Sequence, residues 1–227
     1  MSKSLGNFFT VRDLMLDGHK PSSIRYLLAS VSYRNPLNFT FDGLRQAATA
    51  VERLRNFQLR LRRGRFPAGA NLTLTRLAAK TRERIREALD DDLNAAQAQA
   101  AIFDMVRTAN AMIDSGEIQQ GDAQVLLAAL EEFDEIFAVL NDDDAAKMRL
   151  VADWARREGR EQDISPELAA LLRSAELSDD EINRRVAEMK QAREQRDFPR
   201  SDRIRSELVG AGIVIEQTKE GVRWRRK

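Results

Sequence analysis

Ser2-Lys3-Ser4-Leu5-Gly6-Asn7 sets one lysine between two small hydroxyl residues and follows them with a flexible Gly-Asn. A mobile loop so composed brings one cation and two hydrogen bonds onto phosphate oxygens. Taken alone, so short a polar run at a chain start is more often a frayed tail. Other chemistry-bearing patterns fall away on geometry. Gly210-Ala211-Gly212 lacks the third glycine of a dinucleotide loop and follows a helical pattern instead of a strand. Asp90-Asp91-Asp92 and Asp142-Asp143-Asp144 point consecutive side chains about 100° apart on a helix, so they cap and solvate and do not converge on one ion. His19, between Gly18 and Lys20, stands in a turn and receives no role. With no cysteine and this single histidine, the chain offers no disulfide, no Cys/His zinc site and no thiol nucleophile, and no metal ligand set is expected in it.

The elements that must carry these residues are helical. At 227 residues and 43% apolar content, the chain is long enough to bury a real core in one to three domains. Charged residues at 32% against aromatics at 6% suit long amphipathic helices better than a β-sandwich. Met1 to Phe9 has no helical period; Thr10 then caps a short helix through Leu16 that stops at Gly18. Ser22 or Ser23 caps the next, with Ile24, Leu27, Leu28 and Val31 on one face, and Asn35-Pro36 ends it. Leu44, Ala47, Ala48, Val51, Leu54 and Phe57 mark a long helix from Phe41 to about Arg63, closed by Gly64. Helices at about Leu74–Leu89, Asn94–Ile113 and Gly121–Leu140 complete a four-helix bundle.

Residues 141–165 are charged, with weak apolar periodicity, and read as a linker with partial helical character. Helices follow at about Pro166–Ala175, Asp179–Arg196 and Pro199–Val209. The period then changes from helix to strand: Ile213-Val214-Ile215 and Val222-Arg223-Trp224, with a turn from Thr218 to Gly221, predict a β-hairpin on two helices. Apolar runs such as Val125 to Leu130 fall far short of the roughly 18 residues of a membrane span, and no signal segment opens the chain. A cytoplasmic protein with no membrane partner is expected.

The net charge of +1 conceals segregation. Residues 45–86 carry twelve Lys/Arg against Glu52 and Glu83, a net +10; residues 87–144 carry Arg107 alone against fifteen Asp/Glu, a net −14. Residues 182–227 carry thirteen basic and seven acidic side chains, a net +6. Two basic blocks suggest a polyanion touched at two places, with the acidic block facing away or facing the protein's own basic surface; ordinary solvated helix faces are the alternative.

Met1-Ser2-Lys3-Ser4-Leu5-Gly6-Asn7-Phe8 resembles the KMSKS signature loop of class I aminoacyl-tRNA synthetases, lacking its first lysine. Tyr33-Arg34-Asn35-Pro36-Leu37-Asn38-Phe39 and Ala88-Leu89-Asp90-Asp91-Asp92-Leu93-Asn94 resemble the cysteinyl-tRNA synthetase segment after that loop and the helix junction of its DALR-type bundle. The run from Ala192-Arg193 through Asp197-Phe198, Ser201-Asp202, Gly212-Ile213-Val214 and Gly221 to Trp224-Arg225-Arg226-Lys227 resembles that family's anticodon-binding domain. The motifs stand in order over nearly the whole chain and are similar to the C-terminal part of the bacterial-type family; residues 141–165 carry no resemblance.

The fold so implied is mainly α: a KMSKS loop and stem-contact segment over 1–40, a DALR-type helical bundle over 41–140, a linker over 141–165, and a small α+β anticodon-binding domain with a C-terminal β-hairpin over 166–227. In the family, cysteine and ATP form cysteinyl-adenylate and cysteine passes to tRNA(Cys). The resemblance puts ATP at Met1, Ser2, Lys3 and Ser4, with Lys3 the catalytic cation on the phosphates, a role fitting transition-state electrostatics. It puts tRNA at Arg193, Phe198, Asp202, Arg205, Trp224, Arg225 and Arg226. Arg193 and Asp202 offer a donor fork and an acceptor to splayed bases, and Phe198 and Trp224 offer stacking faces, or else pack the small hairpin on its helices. Gln217 departs from the aspartate frequent at its position. Arg53, Arg60, Arg62, Arg63, Arg82 and Arg86 of the bundle are further phosphate candidates, although they cannot all face one groove.

The family's Rossmann domain, HIGH motif and zinc ion belong to a half that these 227 residues do not contain. The expectation is a chain inactive alone, partnered by tRNA(Cys) and by that catalytic half in cis or in trans, with no DNA partner. A free-standing tRNA-binding module without catalysis is the alternative, and a helical adaptor using the acidic bundle is the generic third.

Overall fold

A computed structural model describes residues 9–218 and 221–226; the loop of Met1, Ser2, Lys3 and Ser4 lies outside the described residues, as do the hairpin tip and Lys227. The described chain is mainly α, as the composition implies: α1 (Val11–Leu16), α2 (Pro21–Ala29), α3 (Phe41–Arg63), α4 (Leu72–Asp90), α5 (Ala95–Asp114), α6 (Gln120–Phe137), α7 (Asp144–Arg157), α8 (Pro166–Glu176), α9 (Asp179–Glu194) and α10 (Phe198–Gly210), then strands β1 (Ile213–Thr218) and β2 (Gly221–Arg226). They fall into two compact units, one of residues 21–142 and one joining the described residues of 1–20 to those of 143–227. The 1–40 segment is thereby divided between the two units at Lys20 and Pro21.

In the 21–142 unit, α4 packs on α5 and α6, α6 also packs on α3, and α2 packs on α3. The apolar spacing of each helix becomes its buried face: Leu44, Leu54 and Phe57 of α3, Leu74 and Ile85 of α4, Ile102 and Met105 of α5, and Leu126, Leu130 and Phe133 of α6 are all but sealed from water. Burying each stabilises the fold by about 1.5–3 kcal/mol before entropy is counted. Local chemistry sets the helix ends. Asn94 accepts a hydrogen bond from the Gln97 N–H at 3.1 Å, the cap its position suggests. The α2 helix starts at Pro21, whose fixed φ suits a first helical position, so Ser22 and Ser23 are buried inside it and do not cap it.

Gly64 closes α3 in extended backbone with φ −64, not in the left-handed conformation. Glycine is needed there because a Cβ would stand 2.2 Å from Phe66 Cζ and 2.8 Å from the Arg60 carbonyl oxygen. The α6 helix stops at Phe137, short of Leu140, because Ala138 turns left-handed (φ 49) and the Asp134 carboxylate takes the N–H groups of Val139 and Leu140 at 2.7 and 2.8 Å. The connection from 64 to 71 is fastened to the start of α6 by the fully buried Asp122, which accepts from the backbone N–H groups of Asn71 (2.7 Å) and Gln119 (2.8 Å).

In the other unit, Thr10 and Asp13 form a reciprocal cap on α1, and hydrogen bonds from the Thr10 hydroxyl and N–H hold the Asp13 carboxyl below the usual carboxylate range. Residues 141–165 are more ordered than a linker: α7 buries Met148, Ala152 and Ala155, and Trp154 carries the Arg12 guanidinium 3.8 Å from its ring centre. The Ser165 N–H reaches the Leu16 carbonyl at 3.0 Å, so α1 is fastened beside the start of α8. The C-terminal hairpin is antiparallel with Ile215 opposite Trp224, and Ile182, Val186, Leu208 and Ile213 form the core beneath it.

Candidate nucleic-acid interface

The candidate residues of the C-terminal unit are carried by the α9–α10 hairpin. Ser178 caps α9 by accepting the Glu181 N–H at 3.1 Å, and Asp197 caps α10 by accepting the Arg200 N–H at 3.2 Å. Between them the chain reverses through Gln195, Arg196 and Asp197, closed by the Asp197 N–H on the Ala192 carbonyl at 2.8 Å. On α10, Phe198, Asp202 and Arg205 recur at i, i+4 and i+7 and form one exposed stripe beside the core face of Ser201, Ile204 and Leu208. Arg193 lies in the last turn of α9, directly after the buried Ala192, and is exposed there.

Phe198 is 55% exposed, a large apolar ring left open to solvent at the first position of α10. Among the described residues, no ion pair or hydrogen bond engages the side chains of Arg193, Asp202 or Arg205. One end of this hairpin therefore presents an open aromatic face, a guanidinium fork and a carboxylate, the groups that stack on and hydrogen-bond to unpaired bases.

Trp224 is placed elsewhere. Its ring packs against the Ile182, Val186, Leu208 and Ile213 cluster, and its Nε1–H is donated to Asn183 Oδ1 at 2.8 Å. Asn183 and Arg193 are ten residues apart on α9, a separation of about 15 Å along the axis. Arg225 and Arg226 hold register positions opposite Val214 and Ile213, and Gln217 pairs with Val222. Between α9 and α10, Glu181 takes hydrogen bonds from Arg184 and Arg185 that hold its carboxyl below the ordinary range, and Arg185 also reaches Glu207 at 3.1 Å. That groove is internally neutralised.

The same holds for most of the bundle's arginines. Arg55 donates to the Val139 and Asn141 carbonyls and to Asp142, each at 2.9 Å. Arg60 pairs with Asp114, Arg62 with Glu131 at 3.7 Å, and Arg84 with Asp104 at 3.2 Å, while Arg82 and Arg86 both bond to Glu132. Arg53 lies over the Phe103 ring at 5.2 Å. The +10 and −14 blocks of the sequence thus face one another inside the bundle. Of the six bundle arginines named as phosphate candidates, Arg63 has no partner among the described residues.

A cysteine--tRNA ligase of Koribacter versatilis is 57% identical over all 227 residues of this chain, which make up 46% of its own length. Along its whole length this chain is similar to the C-terminal part of cysteine--tRNA ligases. The part represented is the C-terminal one, and the chain spans about half the length of the curated relatives it matches. The cysteine--tRNA ligases of Solibacter usitatus and Halorhodospira halophila are 42% and 38% identical over 100% of this chain, which covers 43% and 42% of their lengths. The class I (C) tRNA synthetase catalytic-domain family matches residues 1–49, and the DALR domain family matches residues 84–141.

Two arrangements in this chain have no signal in the sequence. Asp92 accepts from the Tyr33 hydroxyl and the Arg34 guanidinium, both at 2.8 Å, linking two segments that resemble family motifs but lie 58 and 59 residues apart. Asp122 is the other, since a buried carboxylate satisfied by backbone N–H groups has no residue pattern of its own beyond its place three residues after Gln119. Among the described residues, no group of three or more His, Cys, Asp or Glu is placed to hold a metal ion, and no helix is long and apolar enough to cross a membrane.

Proposed function

We propose that this chain is the tRNA-recognition half of a cysteinyl-tRNA synthetase and that it reads the anticodon of tRNA(Cys) at the turn end of the α9–α10 hairpin. The observation that carries this reading is the exposed, unpartnered set of Arg193, Phe198, Asp202 and Arg205 in a chain whose other arginines are largely paired internally. Arg193 and Asp202 hydrogen-bond to base edges, Phe198 stacks, and Arg205 meets phosphate or base. Arg225 and Arg226 add phosphate contacts from β2. Trp224 supports the site by holding the hairpin on α9.

In the complete enzyme, ATP and cysteine give cysteinyl-adenylate and the aminoacyl group passes to the tRNA. Lys3, with Met1, Ser2 and Ser4 around it, contributes a cation to the ATP phosphates. These 227 residues hold a single histidine and so have no HIGH motif; alone they neither activate nor transfer cysteine, and the catalytic partner is supplied in cis or in trans. The setting is the cytoplasm.

The test is binding of the 227-residue chain to a tRNA(Cys) transcript, an anticodon-changed version and an unrelated tRNA at two salt concentrations. Preference for tRNA(Cys), reduced about tenfold by Arg193→Ala, is expected. Equal, steeply salt-dependent binding of all three would leave only a basic surface and end the anticodon reading.

A further inference from the structure

We infer that Arg196, at the reversal between α9 and α10, is a phosphate-gripping residue of the anticodon site. This inference rests on the reading above. Among the described residues, four turns end a helix in the same way, with a left-handed residue just past the cap, and each uses glycine: Gly18 (φ 93), Gly116 (φ 76), Gly159 (φ 67) and Gly212 (φ 78). In the turns at Gly18, Gly116 and Gly159, the N–H groups of that residue and the next reach back to the helix's last carbonyls, as the Gly116 N–H does to Ile113 and the Glu117 N–H to Met112. The turn after α9 has the same bonds, Arg196 N–H to Arg193 at 3.1 Å and Asp197 N–H to Ala192 at 2.8 Å, but the left-handed position holds an arginine with φ 60.

A side chain with a Cβ is strained in that conformation, and glycine would build the turn without the strain. The other left-handed non-glycine residues are held in place: Ala138 by the Asp134 carboxylate on the two N–H groups that follow, Asp92 by its own bonds to Tyr33 and Arg34, and Leu93 by backbone bonds on either side. Arg196 is exposed and, among the described residues, its guanidinium has no partner. The nearest acid in sequence, Asp197, is occupied in capping α10. The side chain thus does nothing for the turn it strains. It stands three residues after Arg193 and two before Phe198, where a ribose-phosphate backbone must pass if bases are to reach those groups. A lone exposed guanidinium meets phosphate through charge and carries no base preference.

Arg196→Gly separates this role from a structural one. The variant is expected to melt a few degrees above the wild-type chain, yet to bind tRNA(Cys) and its anticodon-changed version more weakly by the same factor. The slope of log affinity against log salt falls by about 0.7–0.9. Arg196→Lys keeps affinity and slope. Unchanged affinity and slope in Arg196→Gly, or a melting temperature that does not rise, overturns the inference. If Arg193→Ala abolishes anticodon preference while Arg196→Gly binds as wild type, only the Arg196 assignment falls; if neither variant differs from wild type, the anticodon reading falls with it.

Discussion

Arg193 and Trp224 lie toward opposite ends of α9, and their surroundings separate two jobs that their residue types leave mixed. Arg193 is exposed in the last turn of α9 with its fork open, whereas Trp224 is partly buried against the core with its N–H donated to Asn183 at 2.8 Å. Trp224→Phe keeps a ring for packing but loses the hydrogen bond to Asn183, whose exposed amide is then taken by water. It is expected to cost about 1 kcal/mol of stability in urea unfolding and to leave tRNA preference intact. Loss of tRNA discrimination without loss of stability would instead return the indole to the binding surface. The residue types and their order were legible in the sequence here. The sorting of one aromatic to solvent and the other to the core was not, because a strand's burial depends on which helices lie beneath it.

Within the bundle, α4 and α6 are joined by one carboxylate. Burial pushes the Glu132 carboxyl up, but hydrogen bonds and charge from Arg82 and Arg86 outweigh it and hold the group below the ordinary carboxylate range. A lowered carboxyl contributes stability above its unfolded value of about 4.3 and loses it as pH falls through the folded value. Glu132→Gln should therefore destabilise the protein by about 1 kcal/mol at pH 7, and the gap to wild type should close as urea melts are repeated below about pH 4. A gap that stays constant on acidification would show that the pair contributes through packing alone. The helices themselves were readable from apolar spacing, with α3 running from Phe41 to Arg63 as its pattern implies. Their ends were less so, since Asp134 stops α6 from a position inside the helix and Pro21 replaces the expected serine caps.

At the scale of the whole molecule, the chain spans about half the length of the cysteine--tRNA ligases it is similar to. Cysteine-dependent exchange of pyrophosphate into ATP should stay at background for these 227 residues and appear when a catalytic half is supplied in trans. Exchange by the chain alone would refute the assignment of catalysis to the other half. The sequence by itself determined the helical class, the order of the motifs, the hairpin and the resemblance to a synthetase, because periodicity, caps and residue identities are local and survive without coordinates. Tertiary structure alone decided that α1 belongs with α7 and α8, fastened by the Ser165 N–H on the Leu16 carbonyl, and that the 141–165 stretch is built around a packed helix. It also decided which arginines remain for a partner. The sequence counts twelve cations in residues 45–86, but six of them meet carboxylates of residues 87–144 across the bundle. A charge is available to RNA only if the fold has not already paired it, and that pairing is set by contacts between residues far apart in the chain.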